Sequence, residues 1–287
     1  MDRIALALEG LSVGDAFGET FFGEPELIRS RIEGRVTRDG RWGWTDDTAM
    51  ALSIVEVLRA HGGIDRDALA QAFADRYRAD PMRGYGGTAH DILQAIGLGV
   101  PWAVAAGRVF DGQGSMGNGA AMRVAPIGAC FADDLDAAVQ HARASAEPTH
   151  AHPDGQAGAI AVAVAAALAA RGVTDGASLL AGVVERTPPG PTRDGLEKAR
   201  ALPFDDDVRT AVAALGNGER VISHDTVPFA LWCAARHLDD YETAMWTTVS
   251  GLGDRDTTCA IAGGVVALAV GIDGIPPRWR AAREDLA

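Results

Sequence analysis

The segment 156–170 constrains the fold of this chain more than any other stretch. It is apolar on nearly every side of a helix, which is the pattern of a helix buried at the centre of a protein. Its apolar part is too short and too rich in alanine to favour a membrane span. The segment therefore predicts a central helix around which other helices must pack.

Apolar residues at helical spacing recur along the rest of the chain. They predict helices at 49–58, 69–77, 89–98, 135–144, 227–237, 241–250 and 257–270. Aromatic residues make up only 6% of the chain, and residues that favour strands seldom alternate. Irregular structure is predicted at 21–43, 111–119, 187–193 and 216–225, and none of these stretches resembles an interdomain linker. We predict one all-α domain over residues 1–287.

The charge balance and the cysteines limit the class of protein. The net charge is −13, from 26 basic and 39 acidic residues, and no dense basic run occurs, which argues against a general nucleic-acid surface. Cys130, Cys233 and Cys259 lie in apolar stretches without CxxC spacing, which predicts buried thiols in a reducing compartment. The first residues do not have the pattern of a signal peptide. We expect a cytoplasmic protein.

Two acidic clusters far apart in the sequence each open an apolar helix. Either cluster alone is explained by helix capping, because Asp and Thr side chains accept hydrogen bonds from the free amides of a first turn. Together, at one end of a bundle, they would assemble four carboxylates that two hard divalent cations would neutralise. We predict one binuclear metal site with the ligands Thr45, Asp46, Asp47, Asp254, Asp256 and Thr257.

These clusters and three further segments, which occur in the family order along the chain, resemble the ADP-ribosylglycohydrolase family, which includes the dinitrogenase-reductase-activating glycohydrolases. The further segments are GLSVGDAFG at 10–18, GNGAAMR at 117–123 and THAHP at 149–153. The resemblance covers nearly the whole chain. It implies an orthogonal helical bundle, two Mg²⁺ ions (or Mn²⁺) at the six residues above, and ADP-ribose or an ADP-ribosylated molecule as the binding partner.

A glycine-rich stretch before a predicted helix is a candidate ligand loop. Glycines let backbone amides approach an anion closely, which suits a diphosphate or a ribose. A tight turn with Asn118 in the left-handed region explains the same pattern. In the resemblance this loop lines the ADP-ribose site, and we predict that Ser115, Gly117, Asn118, Gly119 and Met122 bind substrate.

Two histidines and a tyrosine extend this predicted binding set. His150 and His152 precede the buried helix without a third nitrogen or sulfur ligand for zinc, which leaves hydrogen bonding to the ligand or helix capping. Tyr85 lies in the sequence Arg83-Gly84-Tyr85-Gly86. Either Tyr85 and the neighbouring guanidinium stack on a nucleotide base, or this segment is a surface turn.

The predicted activity is magnesium-dependent hydrolysis of the N- or O-glycosidic bond between ADP-ribose and an acceptor. Two alternatives stay open: a binuclear-metal phosphohydrolase acting on a phosphorylated ADP-ribose or nucleotide, and a non-catalytic ADP-ribose-binding protein. The residues also leave the acceptor open among arginine, serine, a nucleic-acid end and a small molecule.

A carboxylate must exchange a proton in this reaction, and Glu24, Glu19 and Asp256 are the candidates. Glu24 is preferred because it lies in a predicted loop that can close over a ligand, whereas Glu19 is expected near the end of the first helix. The family usually has a glutamate seven or eight residues after the aspartate that matches Asp15. This chain has Phe22 and Gly23 there.

Overall fold

A computed structural model describes residues 1–286 of the chain. Within this range the regular structure is α-helical without β-strands, and β-type pairing is limited to two isolated bridges, Trp42 with Arg283 and Gly117 with Ile222. The prediction of an all-α fold is therefore confirmed. The helices are α1 (Arg3–Glu19), α2 (Pro25–Glu33), α3 (Asp46–His61), α4 (Arg66–Ala79), α5 (Gly87–Gly97), α6 (Trp102–Gly107), α7 (Ala125–Cys130), α8 (Leu135–Ala146), α9 (Pro153–Ala170), α10 (Gly176–Arg186), α11 (Pro191–Ala201), α12 (Val208–Leu215), α13 (Ser223–Arg236), α14 (Tyr241–Ser250), α15 (Arg255–Val270) and α16 (Pro277–Ala282), with a 3₁₀ turn at Ile272–Gly274.

The helices predicted from apolar spacing are all present, and the structure adds several others. One of them, α2, corrects the prediction that 21–43 is irregular. It starts with Pro25 at its first position, which suits a helix N-terminus, but it buries only Ile28. A short helix with one buried residue leaves too little apolar pattern to be recognised in the sequence.

Helix α9 is the central element that the sequence predicted. Most of its residues are buried, and it packs against α7, α8, α10, α13 and α15. In the part of the chain that the structure describes, it is also the helix long and apolar enough to cross a membrane by composition alone. Its sides are covered by neighbouring helices, which is the arrangement of a core helix.

The closest helix contact joins α1 to α15 through a row of glycines. A Cβ atom added at Gly10, Gly14 or Gly18 would lie 2.4, 2.2 or 2.2 Å from a backbone oxygen of α15. These glycines are four residues apart and therefore share one face of α1. The backbones of the two helices consequently touch along this row.

An aromatic cluster surrounds the end of α1 and fixes the chain that leads into α3. Phe17 stacks on Trp279 with 4.5 Å between ring centroids and lies 6.0 Å from Trp42. The backbone of Trp42 pairs with Ala282, the last residue of α16, and with Glu284 beyond it. The cluster thus determines where α3 begins relative to α1.

Most buried apolar side chains belong to one connected core, and a smaller cluster lies between α4, α5 and α6. Cys233 and Cys259 are buried, Cys130 is half-buried, and all three are unpaired. We retain a single domain over residues 1–287 as a proposal, which this connected core supports.

Substitution of Gly14 tests the contact between α1 and α15. We expect Gly14→Ala to lower the free energy of unfolding by about 3 kcal/mol or more, because the added methyl group would overlap the Cys259 carbonyl. Gly107→Ala is the matched control, since a Cβ there meets nothing within 4 Å. It should change stability by less than about 1 kcal/mol. Urea unfolding measures both values, and equal stability of the two variants would contradict the proposed contact.

Candidate functional site

Acidic side chains from three helix ends converge at one place. Asp15, near the end of α1, accepts hydrogen bonds from Thr45 and Thr48 at the start of α3. Its charge also interacts with that of Asp256, in the first turn of α15. The two acidic clusters that the sequence singled out therefore lie together, with Asp15 between them.

Asp15 joins α1 to the first turn of α3. Its two carboxylate oxygens accept the Thr45 amide at 3.0 Å, the Thr45 hydroxyl at 2.9 Å and the Thr48 amide at 3.1 Å. It thus caps α3 from another helix, satisfying amides that the first turn leaves free. Asp15 is not among the site residues predicted from the sequence. The sequence does contain one signal for Asp15, because this residue lies between Gly14 and Gly18, on the helix that packs against α15.

Asp46 and Asp47 open α3 with their side chains buried. The Thr45 hydroxyl lies 2.9 Å from Asp15 and 3.0 Å from Asp47, yet it has one proton to donate. The other contact therefore needs a proton on a carboxyl group or a cation beside it. In addition, Asp47 Oδ1 is buried without a hydrogen-bond partner in the described residues.

Asp254 and Asp256 occupy the start of α15. Asp254 accepts a 2.6 Å hydrogen bond from the Asn118 amide, and the Asp254 and Asp256 carboxyls interact with each other directly. Asp256 Oδ1 is a second buried carboxylate oxygen without a partner in residues 1–286. Thr257 is buried and adds a hydroxyl beside Asp254.

Burial raises the pKa of every aspartate in this cluster, and repulsion between aspartates adds to the rise for all of them except Asp256. Burial, followed by repulsion from Asp256, raises the pKa of Asp254 to about 8. The pKa of Asp15 rises to about 7, mainly through burial, although its hydrogen bonds oppose the rise. Burial is also the main reason why the pKa values of Asp46, Asp47 and Asp256 are raised. At neutral pH the cluster therefore favours protons or cations over full ionisation.

The donor set suits a hard divalent cation, since it consists of carboxylate and hydroxyl oxygens, two of which are buried without a partner in the described part of the chain. Within residues 1–286, however, no three His, Cys, Asp or Glu side chains already have the spacing of metal ligands. Binding would require these carboxylates to rotate toward a shared point. The predicted metal ligands are thus brought together, and their occupation by metal stays a prediction.

The glycine-rich loop lies beside this cluster. Asn118 bonds both Asp254 and the hydroxyl of Thr226 on α13. Asn118 does not have a positive φ, so the alternative of a left-handed turn at this residue is wrong. Ser115 accepts a hydrogen bond from the Gly117 amide, and the loop backbone pairs with residues 221–223. The loop therefore forms one side of the site and is held in place by these hydrogen bonds.

His150 and His152 have different roles in the structure. His150 is buried, and a Cβ added at Gly117 or Gly119 would lie 3.2 or 3.4 Å from its Nε2 atom. The imidazole therefore leaves little room for a side chain at either position. His152 instead caps α9, since its Nδ1 accepts the Asp154 amide at 3.0 Å. The capping alternative thus describes His152, while His150 faces the loop.

Tyr85 and Met122 are buried at the edge of the site. Tyr85 lies close enough to Asp46 for that carboxylate to raise its pKa, although burial is the larger cause, and its hydroxyl is unpartnered in the described residues. The Met122 methyl group approaches Gly119. The Arg83 guanidinium is engaged elsewhere, in an ion pair with Glu284 and against the Trp44 ring.

Glu19 and Glu24 lie on either side of the chain reversal after α1. Glu19 is the last residue of α1, as expected, and its side chain reaches solvent. Partial burial and then repulsion from Asp256 raise its pKa to about 7, while Arg38 opposes the rise. Glu24 is exposed and precedes the first residue of α2. Glu19 is therefore close enough to the aspartate cluster to be repelled by Asp256.

The fold and site together define an all-α protein with an acidic centre at three helix ends and a glycine loop beside it. The family model for ADP-ribosylglycohydrolase matches residues 1–287, and the chain belongs to this family.

Individual relatives support this assignment. Mouse ADP-ribosylhydrolase ARH3 is 29% identical over 98% of this chain and 87% of its own, and human ARH3 is 31% identical over 83% and 73%. The ADP-ribosylarginine hydrolase Tri1 of Pseudomonas putida is 26% identical over 97% and 73%. A solved structure described as an ADP-ribosylglycohydrolase-related protein complex superposes with a TM-score of 0.71. It is 26% identical, over 99% of this chain and 92% of that one.

The aspartate cluster predicts how the metal-free protein responds to pH. A carboxyl whose folded pKa is raised stabilises the fold below its unfolded pKa, near 4, and this contribution is lost as the pH rises through the folded value. Asp15 and Asp254 have folded pKa values of about 7 and about 8. In a chelator, we therefore expect the free energy of unfolding to fall between pH 4 and 8 in urea titrations.

Asp256→Asn is the matched variant for this titration. It removes a charge that repels Asp15, Asp46, Asp47 and Asp254, so its stability should decline less over the same range. Identical slopes for the variant and the parent protein would show that the cluster is not electrostatically coupled.

Proposed function

We propose that this chain is a magnesium-dependent hydrolase that releases ADP-ribose from an ADP-ribosylated acceptor. The observation that carries the proposal is the convergence of aspartates from α1, α3 and α15 beside a glycine loop, with two buried carboxylate oxygens that have no partner among the described residues. Membership of the ADP-ribosylglycohydrolase family and the names of the relatives support the reaction class.

Two Mg²⁺ ions, or Mn²⁺ in their place, would be held at the acidic centre. When bound, such cations orient ribose hydroxyls and increase the acidity of water. Asp15 is already saturated by donors from Thr45 and Thr48, so we assign it to positioning the start of α3. The proposed ligands are Thr45, Asp46, Asp47, Asp254, Asp256 and Thr257.

The position of Asn118 relates the loop to the acidic centre. Because Asn118 is hydrogen-bonded to Asp254, a ribose at the carboxylates would have its diphosphate within reach of the loop. His150, against the loop, would donate a hydrogen bond to the same ligand. Ser115 and Tyr85 complete the binding set that we propose, whereas His152 is used in capping α9.

A carboxylate at the rim would exchange the proton during glycosidic cleavage. The predicted loop favours Glu24, but repulsion between Glu19 and Asp256 leads us to place Glu19 first. A pKa raised to about 7 suits a group that must gain and lose a proton near neutral pH. Glu24 at the start of α2 and Asp256 in the cluster remain the other candidates.

A substrate panel tests the activity. ADP-ribosylated arginine, serine, a nucleic-acid end and a small molecule should be assayed with Mg²⁺ present or chelated. We expect Mg²⁺-dependent release of at least one acceptor, and Asp256→Asn should sharply weaken Mg²⁺ binding in calorimetry while the exposed control Asp91→Asn does not. Free phosphate as the product would favour the phosphohydrolase, and Mg²⁺ binding without turnover would favour the binding protein.

Glutamine variants separate the two candidate glutamates. Removal of a general acid or base typically costs about 10²–10⁴ in rate. We expect Glu19→Gln to reduce kcat on that scale with Mg²⁺ affinity nearly unchanged, and Glu24→Gln, the matched control, to retain most activity. The reverse result would restore Glu24 as the catalytic residue. Normal turnover by both would assign the proton to an aspartate.

A further inference from the structure

A buried arginine, Arg123, lies behind the loop, and no carboxylate of residues 1–286 is in direct contact with it. Only 1% of its surface is exposed. Its guanidinium donates to the Ser145 carbonyl at 3.0 Å and the Thr149 hydroxyl at 2.8 Å, and it lies 4.3 Å from the centre of the Phe73 ring. A buried charge is costly even when hydrogen-bonded, and an apolar side chain would fill this space at lower cost. The charge therefore calls for a functional explanation.

The Thr149 hydroxyl connects Arg123 to His150. An arginine can only donate, so Thr149 Oγ1 accepts from it. The hydroxyl has one proton, which it can give to His150 Nδ1 at 2.7 Å or to the Ala146 carbonyl at 3.5 Å. The second distance is too long for a good hydrogen bond. The proton therefore goes to Nδ1, which must be the acceptor, and the imidazole carries its own hydrogen on Nε2.

The opposite side of the imidazole faces the ligand loop. Gly117 and Gly119 border Nε2, while a Cβ added at Gly155 of α9 would lie 3.2 Å from the Cβ and Cδ2 atoms of His150. The ring is thus enclosed by three glycines in one orientation. Burial and then the charge of Arg123 lower the pKa of His150 to about 3, so the ring is neutral at physiological pH.

We propose that Arg123 and Thr149 are positioning residues that hold His150 in its neutral Nε2–H form, aimed at an oxygen of the nucleotide ligand. The chain of donors runs in one direction: the guanidinium donates to the hydroxyl, the hydroxyl to Nδ1, and Nε2–H to a diphosphate or ribose oxygen. The last step rests on the proposed function, whereas the tautomer of His150 follows from the hydrogen bonds alone.

The tautomer can be measured without any ligand. In protein labelled with ¹⁵N-histidine, nitrogen chemical shifts distinguish a protonated from a bare ring nitrogen, and a His150 variant assigns the signal. We expect Nε2–H in the parent protein and in Thr149→Ser, which keeps the hydroxyl. Thr149→Val has nearly the same shape without the donor, so the bare Nδ1 of its His150 should lose its hydrogen bond and move toward the nitrogen shift of an unbonded ring nitrogen.

Calorimetry with ADP-ribose provides the functional arm of this test. Thr149→Val should bind ADP-ribose about tenfold more weakly, measured at a temperature where the variant is fully folded because it also leaves Arg123 short of one acceptor, and Thr149→Ser should bind like the parent protein. An Nδ1–H tautomer in the parent protein, or no change in Thr149→Val, would overturn the relay. If the tautomers behave as expected but the parent protein does not bind ADP-ribose, the proposed function fails and the relay stands.

Discussion

The backbone contact between α1 and α15 is the constraint on which the site depends. Gly10, Gly14 and Gly18 allow the two helices to touch, and a larger residue at any of them would overlap α15. Because Asp15 follows Gly14 directly and Glu19 follows Gly18, the same contact sets the distance from these acids to the start of α15. Close packing of small residues thus determines the electrostatics of the site, not only the stability of the core.

The fold brings these acids together at an energetic cost. Buried aspartates repel one another, and each raised pKa reports free energy that the helical core must offset. Asp15 reduces this cost by serving as the cap of α3, so one carboxylate satisfies amides that would otherwise lack partners. Groups held in such an unfavourable state are typical of functional sites, since binding of a cation or substrate relieves the strain.

Local patterns in the sequence were sufficient for much of the fold and for the two acidic clusters. The all-round apolar character of α9 and the Thr45 cap before α3 are encoded within a few residues. Features that depend on contacts between distant segments were missed. Asp15 caps a helix that lies thirty residues further along the chain. The role that we propose for Arg123 depends on its hydrogen bond to Thr149 and on the contact of Thr149 with His150. Nothing in the sequence distinguishes His152, which caps α9, from His150, which faces the glycine loop.

An acidic protein with a net charge of −13 must bind an anionic nucleotide without a general positive field. A cationic side chain beside the aspartates would pair with them and compete with the metal ions that we propose. A neutral imidazole avoids this, because it donates a directed hydrogen bond without neutralising a carboxylate. The charge of Arg123 is kept behind Thr149, where burial separates it from the ligand. Attraction for the ligand would thus come from bound cations, and its orientation from neutral donors at the loop.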